Sequence, residues 1–217
     1  MNRLTSRSTP LAEQRASYPS IRVIYLATTG IGIRPRDLEL GLDRVRPGGR
    51  LVVSGPVGDH GTAVMLAREQ FGLSGDLRSD AASVLPLAQA LLTMPGLRFM
   101  RDPTRGGIAT VAHEIARATG ATVNLSEPAI PVRPRVRSVC EMLGYDPYYL
   151  ACEGRIVAVL APESAEAAVE ALRAVGCTEA AEVGEVSAGS IRVALETRLG
   201  GFRLLEELED DPLPRIC

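Results

Sequence analysis

The sequence predicts a mixed α/β or α+β fold. Short apolar, β-branched runs alternate with longer segments of helical periodicity, and this alternation is typical of helices packed on a sheet. The 217 residues are 46% hydrophobic, so the chain can bury a substantial core. Aromatic residues make up only 4% and the net charge is −2, so the composition does not indicate a nucleic-acid surface.

The predicted elements follow one another along most of the chain. Residues 1–20 are polar and lack an apolar period, so we expect a poorly ordered lead-in there. The predicted strands are residues 21–29, 51–54, 97–100, 121–125, 155–160, 181–186 and 191–195. The predicted helices are residues 62–71, 83–94, 108–119, 136–143 and 163–175.

These elements divide into four predicted regions. After the disordered lead-in at 1–20, a first domain covers residues 21–95 and a second α/β domain covers residues 96–209. Residues 210–217 form a flexible tail, because Pro212 and Pro214 resist regular structure. Cys217 is the last residue of this tail, so its thiol can move between a pocket and a partner protein.

A first glycine-rich corner joins the predicted strand at 51–54 to the helix after it. Residues 54–61 read Ser-Gly-Pro-Val-Gly-Asp-His-Gly, and such a corner before a helix can turn backbone N–H groups toward an anion. Gly58, Asp59 and His60 are the candidate ligand contacts. The alternative is a simple glycine turn, with Asp59 as the N-cap and His60 at the surface.

A second corner of the same kind precedes the predicted helix at 108–119. Residues 101–107 read Arg-Asp-Pro-Thr-Arg-Gly-Gly, which combines an acid, two arginines, a hydroxyl and a glycine pair. Candidate phosphate or metal-phosphate contacts are Asp102, Arg105, Gly106 and Gly107, with the Arg105 guanidinium as a bidentate donor. The alternative is a capped helix start, in which Asp102 or Thr104 is the cap.

Glu153 and the cysteines complete the candidate chemistry. Glu153 lies between an aromatic cluster at 145–149 and an apolar strand, where it is either a desolvated functional acid or a surface turn residue. Cys140, Cys152, Cys177 and Cys217 have no metal-ligand spacing, so no metal site is predicted. Without a signal peptide or a long apolar run, we expect a cytoplasmic protein with reduced thiols.

Four separated motifs together resemble the HypE family of nickel–iron hydrogenase maturation factors. They are the residues 54–61, 101–107 and 149–154, followed by the terminal Pro-Arg-Ile-Cys. The resemblance runs from about residue 24 to the end, and the motifs occur in the family's order. It implies the PurM/AIR synthase-like fold, in which residues 21–95 are part of the N-terminal domain and residues 96–209 are the complete C-terminal domain.

The resemblance also implies an ATP-dependent dehydration. Cys217 is carbamoylated by the carbamoyltransferase HypF, the thiocarbamate becomes a thiocyanate, and cyanide passes to iron on a HypC–HypD complex. Glu153 is then the candidate base that removes protons from the amide nitrogen. Gly58, Asp59 and His60 line the inter-domain site, and Asp102, Arg105, Gly106 and Gly107 contact phosphate. The implied cofactors are ATP and Mg²⁺, the implied assembly is a homodimer, and neither nucleic acid nor membrane is a partner.

The sequence departs from this family in three ways. Its acidic, glycine-rich Mg-ATP segment and its Gly-Asp-Thr-Lys stretch are not found in these residues, and every basic residue here is Arg. Cys152 stands where the family more usually has Asn. We therefore expect weak or no binding of Mg-ATP by a truncated chain, which catalyses only when an N-terminal segment completes it.

Two alternative functions are considered. The chain is either a non-catalytic carrier fragment that keeps the tail and partner surfaces, or another ATP-using enzyme of the superfamily, such as a thiamin-phosphate kinase. The terminal thiol argues against the kinase, because phosphorylation of a small molecule does not use it. The absence of lysine argues in the same direction.

Overall fold

A computed structural model describes residues 29–33, 35, 38–68 and 77–208 of the chain. The lead-in at 1–20, most of the strand predicted at 21–29 and the tail with Cys217 lie outside these residues. The chain divides into two compact units, Met1–Leu38 and Glu39–Cys217. The second unit contains all of the helices and strands described below.

The described part of the second unit contains five α-helices and seven strands, which confirms the predicted α/β fold. The helices are α1 (Asp59–Arg68), α2 (Leu85–Leu92), α3 (Gly107–Thr119), α4 (Pro134–Leu143) and α5 (Ala165–Ala174). The strands are β1 (Arg50–Val53), β2 (Leu97–Arg101), β3 (Thr122–Ser126), β4 (Val157–Leu160), β5 (Ala181–Ser187), β6 (Arg192–Glu196) and β7 (Phe202–Leu204). Three 3-10 turns lie at Leu42–Arg44, Pro147–Tyr149 and Pro162–Ser164, and β7 was not predicted.

All seven strands belong to one sheet, in the order β2-β4-β1-β5-β3-β6-β7. Every neighbouring pair is antiparallel except β3 and β6, which run parallel. Sequence neighbours in the first half of the chain are therefore not sheet neighbours. The 54–61 corner at the end of β1 consequently starts from the interior of the sheet.

Alternating residues of β1 face two different hydrophobic layers. Leu51 and Val53 pack in the cluster that contains α3, whereas Val52 packs in the cluster that contains α2 and α5. Successive side chains of a strand point to opposite faces, so this pattern follows directly from the apolar run of β1. The sheet is therefore covered by helices on both faces, and β4 is buried along its whole length.

The division predicted at residues 95 and 96 is not present in this unit. β1 pairs with β4 on one side and with β5 on the other, so it shares a sheet with strands from the predicted second domain. Helix α2 also packs with α5 in one hydrophobic cluster. The physical reason is that β1 has two apolar faces and can satisfy both only in the middle of a sheet.

A third, smaller cluster fixes α1 beside α4. Met65 of α1 packs with Val136 and Cys140 of α4 and with Leu150, which precedes the Glu153 loop. This cluster holds the first turn of α1 against the 148–154 segment. It therefore positions the first glycine-rich corner next to Glu153.

Candidate functional site

Three motifs that are far apart in sequence meet around Cys152. The Gly58 N–H donates to the Cys152 sulfur at 3.4 Å, and the Cys152 N–H donates to the Pro103 carbonyl at 3.1 Å. The Gly61 N–H donates to the Ala151 carbonyl at 3.0 Å. The two predicted corners and the Glu153 loop are thus parts of one structure, with Cys152 at its centre.

Cys152 itself holds this structure together and is not a nucleophile. Its side chain is fully buried, and burial raises the pKa of its thiol to about 12. Only the thiolate reacts readily with electrophiles, so a thiol with this pKa is unreactive near neutral pH. The sulfur instead accepts the hydrogen bond that ties the first corner to the Glu153 loop.

The first corner does not present its amides to an anion in the way that was predicted. The Val57 N–H donates to the Pro131 carbonyl at 2.9 Å, and the Gly58 and Gly61 N–H groups are bonded to residues of the Glu153 loop. Gly58 has a φ of 84°, so its glycine is explained by backbone conformation. A bound phosphate is therefore not needed to explain the glycine at position 58 or the direction of these N–H groups.

The second corner places two exposed charged side chains beside the start of α3. Asp102 and Arg105 are both exposed, and the Thr104 hydroxyl donates to an Asp102 carboxylate oxygen. Helix α3 has Gly106 as its N-cap and no side-chain capping bond, so the alternative in which Asp102 or Thr104 caps this helix is not observed. Glycine occupies the N-cap position because the backbone there has a φ of 64°, in the left-handed region that glycine adopts readily.

Gly107 is required for close packing against the Glu153 loop. A Cβ at this position would lie 2.4 Å from the Tyr148 carbonyl oxygen and 2.8 Å from that of Leu150. Its φ of 57° adds backbone strain for any other residue. The glycine therefore lets α3 start directly against the segment that leads to Glu153.

We expect Gly107→Ala to destabilise the fold by about 2–5 kcal/mol, because left-handed strain and a backbone clash add. Gly120→Ala is the matched control at the other end of α3. Its φ is 63°, but nothing lies within 4 Å of the added Cβ. It should cost only about 1–2 kcal/mol in urea unfolding. Equal losses for the two variants would show that the Gly107 contact is not tight.

Buried charges lie beneath the first corner. Asp59, the first residue of α1, lies 3.1 Å from the Arg133 Nε and 3.7 Å from an Arg155 Nη. The Arg155 Nε donates to the Pro56 carbonyl at 3.1 Å and lies 3.4 Å from Asp80. The Asp59 and Asp80 side chains are only 5% and 0% exposed, so Arg155 compensates two buried carboxylates.

Asp59 carries an unsatisfied oxygen in this network. Its Oδ1 is buried and has no hydrogen-bond partner, and its pKa is raised because burial outweighs the attraction of Arg133 and Arg155. Asp59 also borders a surface cleft of about 650 Å³. The other residues lining this cleft are Leu77, Arg78, Arg133, Pro134, Arg135, Val136 and Glu179.

We expect Arg155→Met to destabilise the fold by about 3–5 kcal/mol, because it leaves the buried Asp80 charge without its arginine. Arg50→Met is the matched control, since Arg50 forms ion pairs with Glu182 and Glu185 at the partly exposed surface. Arg50→Met should lower the free energy of unfolding by less than about 1 kcal/mol. Urea unfolding measures both, and a similar small loss for the two variants would contradict the importance of the buried network.

Of the two alternatives for Glu153, the structure favours an exposed residue at a turn over a desolvated acid. Its side chain is 38% exposed, and its Oε1 lies 4.0 Å from the His60 Nε2. The Glu153 N–H donates to the Asp80 carboxylate at 3.1 Å, which fixes the backbone of the loop. The carboxylate is therefore accessible to a substrate, and the backbone that carries it is anchored.

Several residues of this site were missed by sequence reasoning. Ser79, Asp80 and Arg133 belong to no recognised motif, and Arg155 was assigned only to a strand. The signal that could have identified Arg155 is its position two residues after Glu153, where a charge next to a buried strand calls for a partner. Ser79 and Asp80 carry no comparable signal, because polar loop residues are common.

The three internal cysteines are poor nucleophiles. Burial raises the pKa of Cys140 to about 11 and also raises the pKa of Cys177. All three are free thiols. Cys217 lies outside the described residues.

The chain is similar to one family of known sequences and structures. The family described as AIR synthase related protein, C-terminal domain, matches residues 46–196. Carbamoyl dehydratase HypE of Azotobacter vinelandii is 44% identical over 197 residues, which cover 89% of this chain and 58% of the relative. The chain thus spans less than two thirds of the length of the curated relatives it matches.

Solved HypE structures share this fold. Escherichia coli HypE superimposes with a TM-score of 0.81 at 42% identity and covers 86% of this chain and 58% of its own. A HypE–HypF complex matches with a TM-score of 0.75 at 35% identity, and the match covers 78% of this chain and 56% of the solved chain. A HypE in complex with ATP matches with a TM-score of 0.75 at 40% identity, and the match covers 80% of this chain and 54% of the solved chain. In the described part of the present chain, no helix has the length and hydropathy needed to cross a membrane.

Proposed function

We propose that this chain serves in the maturation of nickel–iron hydrogenases. The chain belongs to the family of AIR synthase-related proteins, and it is homologous to the HypE carbamoyl dehydratases. In this function, Cys217 carries a carbamoyl group that is dehydrated to a thiocyanate, and cyanide is then donated to iron. The observation that carries the proposal is the convergence of the three family motifs around Cys152, with the Glu153 carboxylate exposed beside them.

In this proposal Cys217 is the carrier of the carbamoyl group and Glu153 is the base. Cys217 is the nucleophile that accepts the carbamoyl group, which is the role that the resemblance to the HypE family implies for it. Glu153 accepts a proton from the amide nitrogen, and its anchored backbone keeps the carboxylate in place. ATP, with Mg²⁺, would supply the phosphoryl group that makes the amide oxygen a leaving group.

The second corner fits the phosphate side of a nucleotide better than the first corner does. Asp102 and Arg105 are exposed beside a helix that begins without a side-chain cap. An arginine fork and a helix N-terminus both favour an anion. At the first corner, by contrast, the Gly58 amide is bonded within the chain. We therefore propose Asp102, Arg105, Gly106 and Gly107 as the phosphate-side contacts, and we assign Asp59 and His60 to the neighbouring site.

We expect this chain alone to bind Mg-ATP far more weakly than a complete HypE. The Gly58 amide of the first corner is bonded within the chain, and the second corner offers arginine but no lysine. Isothermal titration with Mg-ATP measures the affinity, and E. coli HypE is the control. A low-micromolar dissociation constant for this chain would contradict the expectation.

The proposed partners follow from the chemistry of transfer. A HypE is found in complex with HypF, and we propose that a HypF-type carbamoyltransferase loads Cys217 of this chain. A HypC–HypD complex would receive the cyanide on its iron. We also propose a homodimer.

A carrier role without catalysis is the second candidate. The occupied amides of the first corner favour it for the chain acting alone, because they reduce what the chain can offer a nucleotide. A carrier would accept the carbamoyl group and leave dehydration to another polypeptide. The two candidates differ only in whether Glu153 contributes to the reaction.

Complementation tests the proposed function. This chain is co-expressed with the N-terminal segment of E. coli HypE in a strain that lacks HypE, and hydrogenase activity is measured. Restored activity is expected, and the Cys217→Ser variant should not restore it. If the wild-type pair restores no activity although both polypeptides are produced and folded, the proposal is wrong.

A further inference from the structure

His60 lies between a serine hydroxyl and the proposed base. Its Nδ1 is 2.8 Å from the Ser79 Oγ, and its Nε2 is 4.0 Å from the Glu153 Oε1. The three side chains come from the first turn of α1, from the segment before α2 and from the loop after the 147–149 turn. The imidazole is 25% exposed, so its ring can exchange protons with solvent.

Ser79 and Asp80 hold both sides of this arrangement. The Ser79 Oγ accepts the Ala81 N–H at 3.0 Å, which fixes the hydroxyl that meets His60. The Asp80 Oδ1 accepts the Glu153 N–H at 3.1 Å. A Cβ at Gly154 would lie 2.0 Å from the Asp80 carbonyl oxygen, so the two segments are in direct contact. Adjacent residues therefore fix His60 and Glu153 relative to each other.

We propose that His60 is the proton partner of Glu153 in the dehydration, and that Ser79 and Asp80 are positioning residues for this pair. This inference rests on the proposed function and deepens it. In this proposal the resting imidazole carries its proton on Nδ1 and donates it to the Ser79 Oγ, so that the Nε2 lone pair is directed toward Glu153. A second acceptor close to the base then becomes available.

The stoichiometry of the reaction shows which of the two protons passes through His60. Dehydration of the thiocarbamate breaks the carbon–oxygen bond, turns the carbon–nitrogen bond into a triple bond, and removes both protons from the nitrogen. The oxygen leaves with the γ-phosphoryl group of ATP as inorganic phosphate, which takes up the second proton. The first proton goes to Glu153, and His60 then transfers it through Nε2 to solvent. Glu153 is thereby ionised again before the next turnover.

Multiple-turnover measurements on the full chain, completed with the N-terminal segment of E. coli HypE and supplied with a HypF-type carbamoyltransferase, a carbamoyl donor and an acceptor for cyanide, test this proposal. His60→Ala should slow thiocyanate formation by roughly 10- to 100-fold, within the range of general acid–base contributions, while carbamoylation of Cys217 is unchanged. Added imidazole should restore most of the rate, because it replaces the lost proton acceptor. His113→Ala is the matched control, since the only other histidine hydrogen-bonds to the Leu205 carbonyl and lies outside this arrangement.

Two further pairs of variants, one at Ser79 and one at Asp80, separate positioning from simple loss of stability. Ser79→Thr keeps the hydroxyl and should retain most of the rate, whereas Ser79→Ala should lower kcat without raising KM for ATP. Asp80→Asn keeps an acceptor for the Glu153 N–H, so its rate should exceed that of Asp80→Ala. A wild-type rate for His60→Ala, or a slow rate that imidazole leaves unchanged, overturns the inference while the proposed function stands. No thiocyanate from the completed wild-type chain overturns both.

Discussion

Replacement of Cys217 by serine is expected to abolish carbamoylation of this chain by a HypF-type carbamoyltransferase. Cys217 matches the cysteine that carries the carbamoyl group in the family motif that the sequence resembles. The internal thiols cannot substitute for it, because burial raises the pKa of Cys140 to about 11 and that of Cys152 to about 12. A raised pKa means that a smaller fraction of the thiol is ionised, so at pH 7 roughly one Cys140 side chain in ten thousand is a thiolate.

Cys177→Ser is the matched control for this prediction. Cys177 is the least buried of the three internal cysteines, and its substitution should leave carbamoylation unchanged. Deletion of Cys217 alone should act like Cys217→Ser, and neither change should alter the urea unfolding midpoint. Undiminished labelling after loss of Cys217 would contradict the carrier role and with it the assignment of the tail.

Replacement of Glu153 by glutamine is expected to stop thiocyanate formation while carbamoylation of Cys217 continues. The amide keeps the size of the side chain but cannot accept the proton from the thiocarbamate nitrogen. Loss of a general base typically lowers a rate by about 100- to 10,000-fold. The loop should stay in place, because the Asp80 carboxylate binds the backbone N–H of residue 153 and not its side chain.

Glu163→Gln is the control for the loss of one surface carboxylate. Glu163 is also exposed but lies on the 3-10 turn before α5, away from the three motifs. Single-turnover mass spectrometry on the carbamoylated, completed protein measures both variants. A normal thiocyanate yield from Glu153→Gln would remove Glu153 from the mechanism and favour the carrier role.

Much of the fold could be predicted because its signals are local. The apolar run that became β1 and the helical period that became α3 each lie within a window of a few turns. β7 was missed because Phe202–Leu204 is a short, exposed edge strand whose pairing with β6 depends on distant residues. The order of the sheet was also not predictable, since β1 pairs with strands more than a hundred residues away.

The site was predicted in part for the same reason. The glycine-rich corners and Glu153 were visible as motifs, and the structure brings them together around Cys152. Their roles depended on contacts that sequence does not show. Gly58 was a candidate ligand contact, but a sulfur 94 residues away accepts the hydrogen bond of its amide. Asp80 was missed because the loop and the arginine that it binds lie over seventy residues downstream.

The most direct test of the proposed function is the mass at Cys217 during one reaction cycle. The chain is incubated with a HypF-type carbamoyltransferase and a carbamoyl donor, and then with Mg-ATP and the N-terminal segment of E. coli HypE. Fragmentation mass spectrometry should first locate one carbamoyl group on Cys217 and then show the loss of one water from that residue. A carbamoyl group on Cys140, Cys152 or Cys177, or no loss of water at Cys217, would contradict the account.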